Sequence, residues 1–253
     1  MFLRILICLF VVMPSLFCAP RPARAETELL VSAAASLTES FKEIGRSFMA
    51  KNPGVKVNFN FAATGPLLQQ IAQGAPADVF ASADQESMDK AEKGGFIVTG
   101  SRINFVGNSL VLITPVNMPV VTGLAELKSG RVQKIAMGNP ESVPVGRYTK
   151  AVLEKQGLWE PLAPKCVMGI SVKQALEYVM RGEVEAGFVY ATDAAAAKDR
   201  VRVVAEIPTD KPIVYPVAVV AGSANKEKAQ AFIQYLRSPE AQGLLAKYGF
   251  TKP

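Results

Sequence analysis

Histidine is absent from this 253-residue chain, which removes the side chain on which several large classes of enzyme depend. Without histidine there can be no Ser-His-Asp triad, no Cys-His pair and no zinc site with histidine ligands. The P-loop and nucleophile-elbow motifs are also missing from the sequence. Most hydrolytic mechanisms are therefore excluded, and an exported α/β enzyme is kept only as an alternative.

Cysteine is scarce, and two of the three cysteines, Cys8 and Cys18, lie in a segment that is typical of a secretory signal peptide. This segment has an early positive charge, an apolar run over residues 5–17 and an A-x-A pattern that predicts cleavage after Ala25. The apolar run is shorter than the roughly 18 residues that a membrane helix needs. We expect a soluble periplasmic chain, with a lipoprotein anchored through Cys18 as the alternative. Cys166 then stands alone, so no intramolecular disulfide can form.

Basic residues outnumber acidic residues only slightly. The chain has 28 basic and 22 acidic residues, and loss of the three arginines of the signal peptide lowers its net charge from +6 to +3. The mild positive charge favours an encounter with small anions, and the scattered basic residues argue against a nucleic-acid-binding groove. About 228 residues remain after cleavage, enough for one or two hydrophobic cores.

The sequence alternates short β-rich runs with amphipathic helices, which is typical of an α/β fold. Strands are predicted at residues 29–31, 55–59, 78–81, 110–113, 134–137, 187–190, 201–204 and 217–220. Helices are predicted around residues 37–48, 67–71, 145–156, 172–179, 232–236 and 244–248. No flexible linker is visible, so two lobes would require the chain to cross between them through ordered strands, at 108–115 and 212–219.

Polar groups suited to an anion occur where predicted strands end and helices begin. Ser36, in an S-x-x-E pattern with Glu39, is predicted to be the N-cap of the first helix. Thr64 offers a second hydroxyl at the start of the next helix. Val145 and Val172 lie at two later helix starts, where only their backbone N–H groups can donate. Such unpaired N–H groups, together with the helix dipole, attract anions.

Tyr190 ends the strand predicted at 187–190, where its hydroxyl would reach the edge at which α/β proteins bind ligands. The alternatives are a core tyrosine with a satisfied hydroxyl and, at Ser36, plain helix capping. Four helix starts and one tyrosine, drawn from both halves of the chain, together indicate a cage of uncharged donors around an anion.

Four other polar or reactive side chains are interpreted without a direct role. Asp78 and Asp84 have no partner base, metal cluster or nucleophile motif, so both are interpreted as structural. Arg147 is interpreted as a solvated surface charge, with attraction of anions as the alternative. Cys166 is interpreted as a buried apolar residue. Neither a cofactor nor a direct metal ligand is predicted.

Seven segments resemble the periplasmic molybdate-binding proteins of ABC transporters. They are AAASL (33–37), GAPADVFASAD (74–84), GNSLVL (107–112), GNPESVPVGRYTKAVLEKQGLW (138–159), GFVYATDA (187–194), YPVAVV (215–220) and YGF (248–250). The resemblance covers essentially all of residues 26–253. It implies a two-lobed type II periplasmic binding-protein fold, with a mixed, mostly parallel sheet flanked by helices in each lobe and the ligand in the cleft between them. We expect lobe 1 to comprise residues 26–107 plus 216–253, and lobe 2 residues 108–215.

The resemblance also implies a function: a monomeric receptor, not an enzyme, that binds molybdate or tungstate and delivers it to a membrane permease driven by an ATPase. The family's ligand positions fall on Ser36, Thr64, Val145, Val172 and Tyr190. Thr64 stands where serine is common, and Val145 where a small residue is common. A receptor for sulfate or another tetrahedral oxyanion is the alternative, and a ligand-sensing module of a membrane receptor is a third. The paired tyrosines of ferric-ion binding proteins are not present.

Donors alone suit a fully ionised tetrahedral oxyanion, which only accepts hydrogen bonds. Phosphate keeps a proton near neutral pH and needs an acceptor, which the five predicted contacts do not supply. Sulfate is a dianion like molybdate, so only the size of the cavity can separate the two.

Overall fold

The structure of the protein, a computed structural model, describes residues 26–118 and 121–253. The predicted signal peptide, with its cut after Ala25 and Cys18, lies outside the described residues. In the described part, the strands are β1 Thr27–Ala34, β2 Val55–Ala62, β3 Val79–Ala81, β4 Ile103–Asn108, β5 Leu110–Pro115, β6 Ile135–Gly138, β7 Cys166–Gly169, β8 Ala186–Tyr190, β9 Val201–Ile207 and β10 Ile213–Val219.

Helices alternate with these strands. They are α1 Thr38–Lys51, α2 Thr64–Ala72, α3 Gln85–Lys93, α4 Pro144–Lys155, α5 Trp159–Leu162, α6 Val172–Met180, α7 Ala191–Ala196, α8 Lys226–Leu236 and α9 Pro239–Lys247. Short 3₁₀ helices occur at Ala35–Leu37, Leu124–Lys128 and Ala163–Lys165. None of the helices in the described ranges is both long and apolar enough to cross a membrane.

The strands form two five-stranded sheets, in the orders β2-β1-β3-β10-β4 and β7-β6-β8-β5-β9. Each sheet has two parallel pairings, and each contains one strand, β10 or β5, that runs antiparallel to both of its neighbours. Helices pack on both sheets, for example α1 on β2 and α6 on β8. The predicted α/β architecture of two mixed sheets flanked by helices is confirmed.

The chain changes sheet twice. It leaves the first sheet at the end of β4, and Ser109 is the single residue before β5 begins in the second sheet. It returns through residues 208–212, between β9 and β10. Both crossings lie at the margins of the predicted segments 108–115 and 212–219 rather than inside a strand. Below, the first half means residues 26–108 and 213–253, and the second half means the described residues of 109–212; the predicted lobe boundaries remain a prediction.

The hydrophobic faces of the elements explain their positions. Leu29 and Val31 of β1 are fully buried, and the helical repeat of Phe41, Ile44 and Phe48 places one face of α1 in the core. Aromatic rings pack edge-on where α1 meets α8, with the ring centroids of Phe41 and Phe48 at 6.1 and 5.3 Å from that of a phenylalanine in α8. This packing holds α1 against α8.

Eight predicted strands and six predicted helices are present, most of them longer than predicted. Strands β4 and β7 and helices α3, α5 and α7 are additional to the prediction. The added β4 matters most for the site, because its last residue, Asn108, lies at the first crossing between the sheets.

Candidate functional site: a cavity between the two halves

A small cavity lies where strands of both halves end and helices begin. It has a volume of about 10 Å³ and is lined by Ala34, Ala35, Ser36, Ala63, Ala83, Val143, Pro144, Val145, Val172 and Tyr190. The four alanines keep the lining thin, so a guest could approach the main chain closely. Four of the five predicted ligand residues line this cavity, and Thr64 does not.

Ser36 lies in the cavity wall, but it is not the N-cap that the S-x-x-E pattern predicts, and that prediction is wrong. A 3₁₀ turn over Ala35–Leu37 precedes α1 and moves the N-cap to Leu37, whose side chain makes no capping bond. The hydroxyl of Ser36 is therefore not used by the helix. It lies 2.9 Å from the hydroxyl of Tyr215, and Ser36 is only 7% exposed.

Tyr215 contacts a predicted site residue and was not included in the site prediction, although it stands in the segment YPVAVV. It lies near the start of β10, which runs antiparallel to β3, so the start of β10 lies at the edge where β3 ends. Its hydroxyl also accepts a hydrogen bond from the side-chain amide of Asn108 at 3.2 Å. Burial raises the pKa of the Tyr215 phenol well above its usual value, and hydrogen bonding to Ser36 opposes that shift.

Thr64 begins α2 and lies directly behind the cavity wall. The N-cap is Ala63, which makes no side-chain capping bond, so here too the helix start offers its backbone. The Thr64 side chain is fully buried, and its Oγ1 accepts a hydrogen bond from the N–H of Ala83 at 3.2 Å. Because both alanines line the cavity, the Thr64 hydroxyl lies next to it, and this bond leaves its proton available.

Val145 contributes main chain rather than side chain. It is the second residue of α4, which begins at Pro144 and has Val143 as its N-cap. Proline has no N–H and is favoured at the first position of a helix, so the N–H of Val145 is the first that α4 can donate. An N–H in the first turn has no partner within its own helix. The valine side chain is fully buried, which leaves the backbone to serve a polar guest.

Val172 repeats this arrangement at the start of α6. As predicted, Ser171 is the N-cap, and its hydroxyl accepts from the N–H of Gln174 at 3.2 Å. Val172 is the first helical residue, so its N–H also lacks a partner within the helix. The side chain is 4% exposed and packs in the core. The second half therefore presents two helix N-termini to the cavity.

Tyr190 ends β8 and is almost fully buried in the cavity wall. Its hydroxyl lies 3.5 Å from the carbonyl oxygen of Ala83 in the first half, a long and weak contact. Its ring packs at 61° to that of Tyr215, with centroids 5.8 Å apart. Burial raises the pKa of the Tyr190 phenol well above its usual value, so it remains a neutral donor at physiological pH.

The main chains of the two halves touch beside the cavity. The N–H of Gly65, in α2, donates to the carbonyl oxygen of Ser142 in the second half at 3.0 Å. A Cβ atom at position 65 would lie 2.5 Å from that oxygen, a distance at which atoms clash. Glycine is therefore required for this approach.

Arg147 is not a solvated surface charge, and that interpretation is wrong. From α4 in the second half, its Nε donates to Oδ2 of Asp84 in the first half at 2.9 Å, and a terminal nitrogen contacts the same carboxylate and the hydroxyl of Ser87. The Asp84 side chain is 5% exposed and also caps α3 by accepting from the N–H of Ser87 at 3.0 Å. A largely buried ion pair, in which the Arg147 side chain is 18% exposed, thus joins the two halves at the rim of the cleft.

A second carboxylate, that of Asp193, also lies close to the cavity wall. It is fully buried in α7, and Nζ of Lys173 lies 2.9 Å from its Oδ1. Burial raises the pKa of Asp193, and the positive charge of Lys173 acts in the opposite direction. Like Asp84, this carboxylate has a cationic partner, so its field at the cavity is reduced.

The remaining reactive side chains act within the fold. Asp78 accepts from the N–H of Leu30 at 2.7 Å and from the hydroxyl of Ser223 at 2.6 Å, which fits its structural interpretation. Cys166 is only partly buried, and burial raises the pKa of its thiol to about 11, so it is a poor nucleophile. Residues 26–118 and 121–253 contain no cluster of three metal-ligating side chains.

A larger groove lies outside the ion pair at the rim. It has a volume of about 500 Å³, and Asp84, Glu86, Asp89 and Asp210 are among its lining residues. Acidic groups repel an anion, so this groove is a poorer anion site than the small cavity despite its size.

Comparisons with known proteins identify the family of this chain. The family described as bacterial extracellular solute-binding protein matches residues 29–251. The molybdate-binding protein ModA of Escherichia coli is 42% identical over 235 residues, which is 89% of this chain and 90% of that protein. A putative ABC transporter substrate-binding lipoprotein of Bacillus subtilis is 40% identical over 226 residues, covering 88% of this chain and 86% of the relative.

Solved structures give the same picture of the fold. The periplasmic molybdate-binding protein of Azotobacter vinelandii has a TM-score of 0.78 at 27% identity, covering 89% of this chain and 99% of that chain. The sulfate-binding protein SubI of Mycobacterium tuberculosis has a TM-score of 0.77 at 20% identity, covering 89% and 87%. The second likeness shows the fold alone, and one fold therefore serves different oxyanions.

Proposed function

This chain belongs to the bacterial extracellular solute-binding protein family, and we propose that it is a receptor that binds molybdate, and tungstate with it, for delivery to an ABC permease. The proposal includes a periplasmic monomer that captures the oxyanion between its halves and docks, closed, on a permease driven by an ATPase. No catalytic role is proposed. Relatives named as molybdate-binding proteins, at 33–42% identity over most of the chain, support the choice of ligand.

One observation carries the proposal: neutral donors from both halves line one cavity. Ser36 comes from the first half, while Val145, Val172 and Tyr190 come from the second, and the Thr64 hydroxyl lies behind the wall. A dianion between them would accept hydrogen bonds from both sides and so hold the halves together. Uncharged donors avoid the desolvation cost of a buried cation.

The number of donors sets the scale of affinity. Hydrogen bonds to charged groups contribute roughly 1.5–3 kcal/mol each, so five give about 7–15 kcal/mol before the costs of closure. That range spans about micromolar to nanomolar binding and tighter. Sulfate is the second candidate, because the sulfate-binding fold neighbour shows that the architecture accepts that ion. Charge cannot separate sulfate from molybdate, so the distinction depends on the size of the cavity.

Thermal unfolding of the mature protein with molybdate, tungstate, sulfate and phosphate tests the proposal. A ligand that binds only the folded state raises the melting temperature by mass action. We expect shifts with molybdate and tungstate, and little shift with sulfate or phosphate. A shift with sulfate and none with molybdate would make the ligand assignment wrong.

Replacement of Ser36 by alanine should remove most of the molybdate-induced shift and raise Kd by about ten-fold or more, because one donor to the dianion is lost. The matched control is Ser101→Ala, which changes a buried serine that bonds the backbone of Val98 and Val219 away from the cavity. The control is expected to lower the melting temperature without changing the shift. Equal ligand responses in the two variants would remove Ser36 from the site.

A further inference from the structure

A chain of hydrogen bonds leads from the first crossing between the sheets to the cavity. The side-chain oxygen of Asn108 lies 2.9 Å from the N–H of Ser109, which can only donate, so the orientation of the amide is fixed. The amide nitrogen therefore faces the hydroxyls of Thr192 at 2.9 Å and Tyr215 at 3.2 Å. Both of its N–H groups are used in these two bonds.

The direction of the next bond follows from this. The Tyr215 oxygen accepts from Asn108, so its own proton must find another acceptor, and Ser36 Oγ at 2.9 Å is that acceptor. In the reverse arrangement, with Ser36 donating, a fully buried phenol proton would have no partner, which is costly. Burial keeps the pKa of Tyr215 high, so the phenol retains this proton.

Ser36 is thereby held as an acceptor toward the protein and has its own proton left for the cavity. The second hydroxyl is arranged in the same way: Thr64 Oγ1 accepts from the N–H of Ala83, and its proton remains available. The carbonyl oxygen of Ala83 is an acceptor beside this network, and the hydroxyl of Tyr190 lies 3.5 Å from it. The polarity of the site is thus set by residues outside the five predicted ligand positions.

We propose that Asn108 and Tyr215 are positioning residues that orient the Ser36 hydroxyl as a donor and so make the site select oxyanions that carry no proton. The proposal rests on the proposed function, because it takes a tetrahedral dianion as the ligand. A protonated oxyanion such as hydrogenarsenate would bring its own O–H against another donor proton. The two protons would repel, and one hydrogen bond would be lost.

The test compares Kd values for molybdate and arsenate by calorimetry at mildly alkaline pH, above the second pKa of arsenic acid. Molybdate and hydrogenarsenate are then both dianions, so the ratio of their Kd values cancels changes in charge and reports hydrogen-bond polarity. Arsenate is preferred to phosphate because its longer bonds bring its size nearer to that of molybdate. The variants are Tyr215→Phe, which leaves Ser36 free to rotate, and Asn108→Asp.

Asn108→Asp is expected to reverse the chain, because a carboxylate would accept the Tyr215 proton and Ser36 would donate to Tyr215. The lone pairs of the Ser36 hydroxyl would then face the cavity. We expect Tyr215→Phe to raise the molybdate Kd about ten-fold and to narrow the preference for molybdate over arsenate several-fold, with a larger narrowing for Asn108→Asp. A merely structural role would weaken both ions alike.

The matched control is Tyr235→Phe, which removes a tyrosine hydroxyl that donates to Ser47 at 2.8 Å, away from the cavity. This control should leave both Kd values unchanged. An unchanged preference in Tyr215→Phe and Asn108→Asp, while the unaltered protein binds molybdate, overturns the inference alone. Failure of the unaltered protein to bind molybdate overturns the proposed function, and the inference falls with it. Melting temperatures without ligand establish that each variant is folded.

Discussion

Two regions between the halves of this protein, the rim and the cavity, use opposite chemistry. At the rim, Arg147 and Asp84 form a buried ion pair between the halves. In the cavity, a few residues away along α4, the donors are uncharged: hydroxyls and the N–H groups of helix starts. Full charges therefore pair with each other within the protein, while partial charges are left for the guest. A permanent cation in the cavity would be costly to bury whenever the cleft was empty.

Breaking the rim contact should have the largest effect. Asp84→Ala removes the partner of Arg147 and the cap of α3 together, so we expect the free energy of unfolding to fall by about 3 kcal/mol. Chemical denaturation measures the loss. Asp84→Asn, which keeps a capping oxygen, should lose less, and Asp89→Ala, in an exposed ion pair with Arg102, should lose almost nothing. Equal losses at positions 84 and 89 would contradict the buried-pair interpretation.

Removing a cavity donor should affect binding rather than stability. Val172→Pro deletes one N–H at the first position of α6, where proline is well tolerated, and Ser171 has the extended backbone that proline requires of its predecessor. We expect the molybdate Kd to rise about ten- to hundred-fold, the loss of one hydrogen bond to a charged group. The control Val172→Ala keeps the N–H and should bind nearly normally. If both variants bind alike, the backbone of Val172 is not a ligand.

Breaking an exposed ion pair should have the smallest effect on stability and binding, and it serves as a reference for the variants at positions 84 and 172. Lys155 and Asp210 are in contact, but about two thirds of each side chain is exposed to solvent. Lys155→Ala should change the free energy of unfolding by less than about 0.5 kcal/mol, because water screens such pairs. It should also leave the molybdate Kd unchanged, since the pair lies outside the cavity. A loss as large as that of Asp84→Ala would remove the distinction between buried and exposed pairs.

The elements with strong apolar patterns could be predicted from the sequence, and the others could not. The repeat of Phe41, Ile44 and Phe48 is sufficient to place α1, whereas α3, with the sequence QESMDKAEK, has too few apolar residues to stand out. Strand β4 reads INFVGN, whose glycine and asparagines are rare in strands, and it forms because it pairs with β10. The formation of β4 therefore depends on tertiary pairing and not on a local sequence pattern.

The candidate site was predictable as a set of helix starts but not as a network. Ser36, Val145, Val172 and Tyr190 could be located because each follows a strand, and the cavity brings these four together. The prediction of Ser36 as the N-cap was wrong because a 3₁₀ turn shifts the start of α1 by one residue, which no local sequence pattern indicates. Tyr215 is 179 positions from Ser36, and its role depends on the antiparallel direction of β10. Arg147 and Asp84 are 63 positions apart, so their pairing also depends on the tertiary fold.

The contact of Gly65 with Ser142 has a consequence for discrimination by size. Main-chain atoms meet there without any side chain between them, so the halves stop against peptide groups whose dimensions are the same in every protein. At this contact the distance between the halves is therefore set by backbone atoms and not by side chains. A spacing set by backbone atoms is well suited to distinguishing sulfate from molybdate, which differ in radius and not in charge.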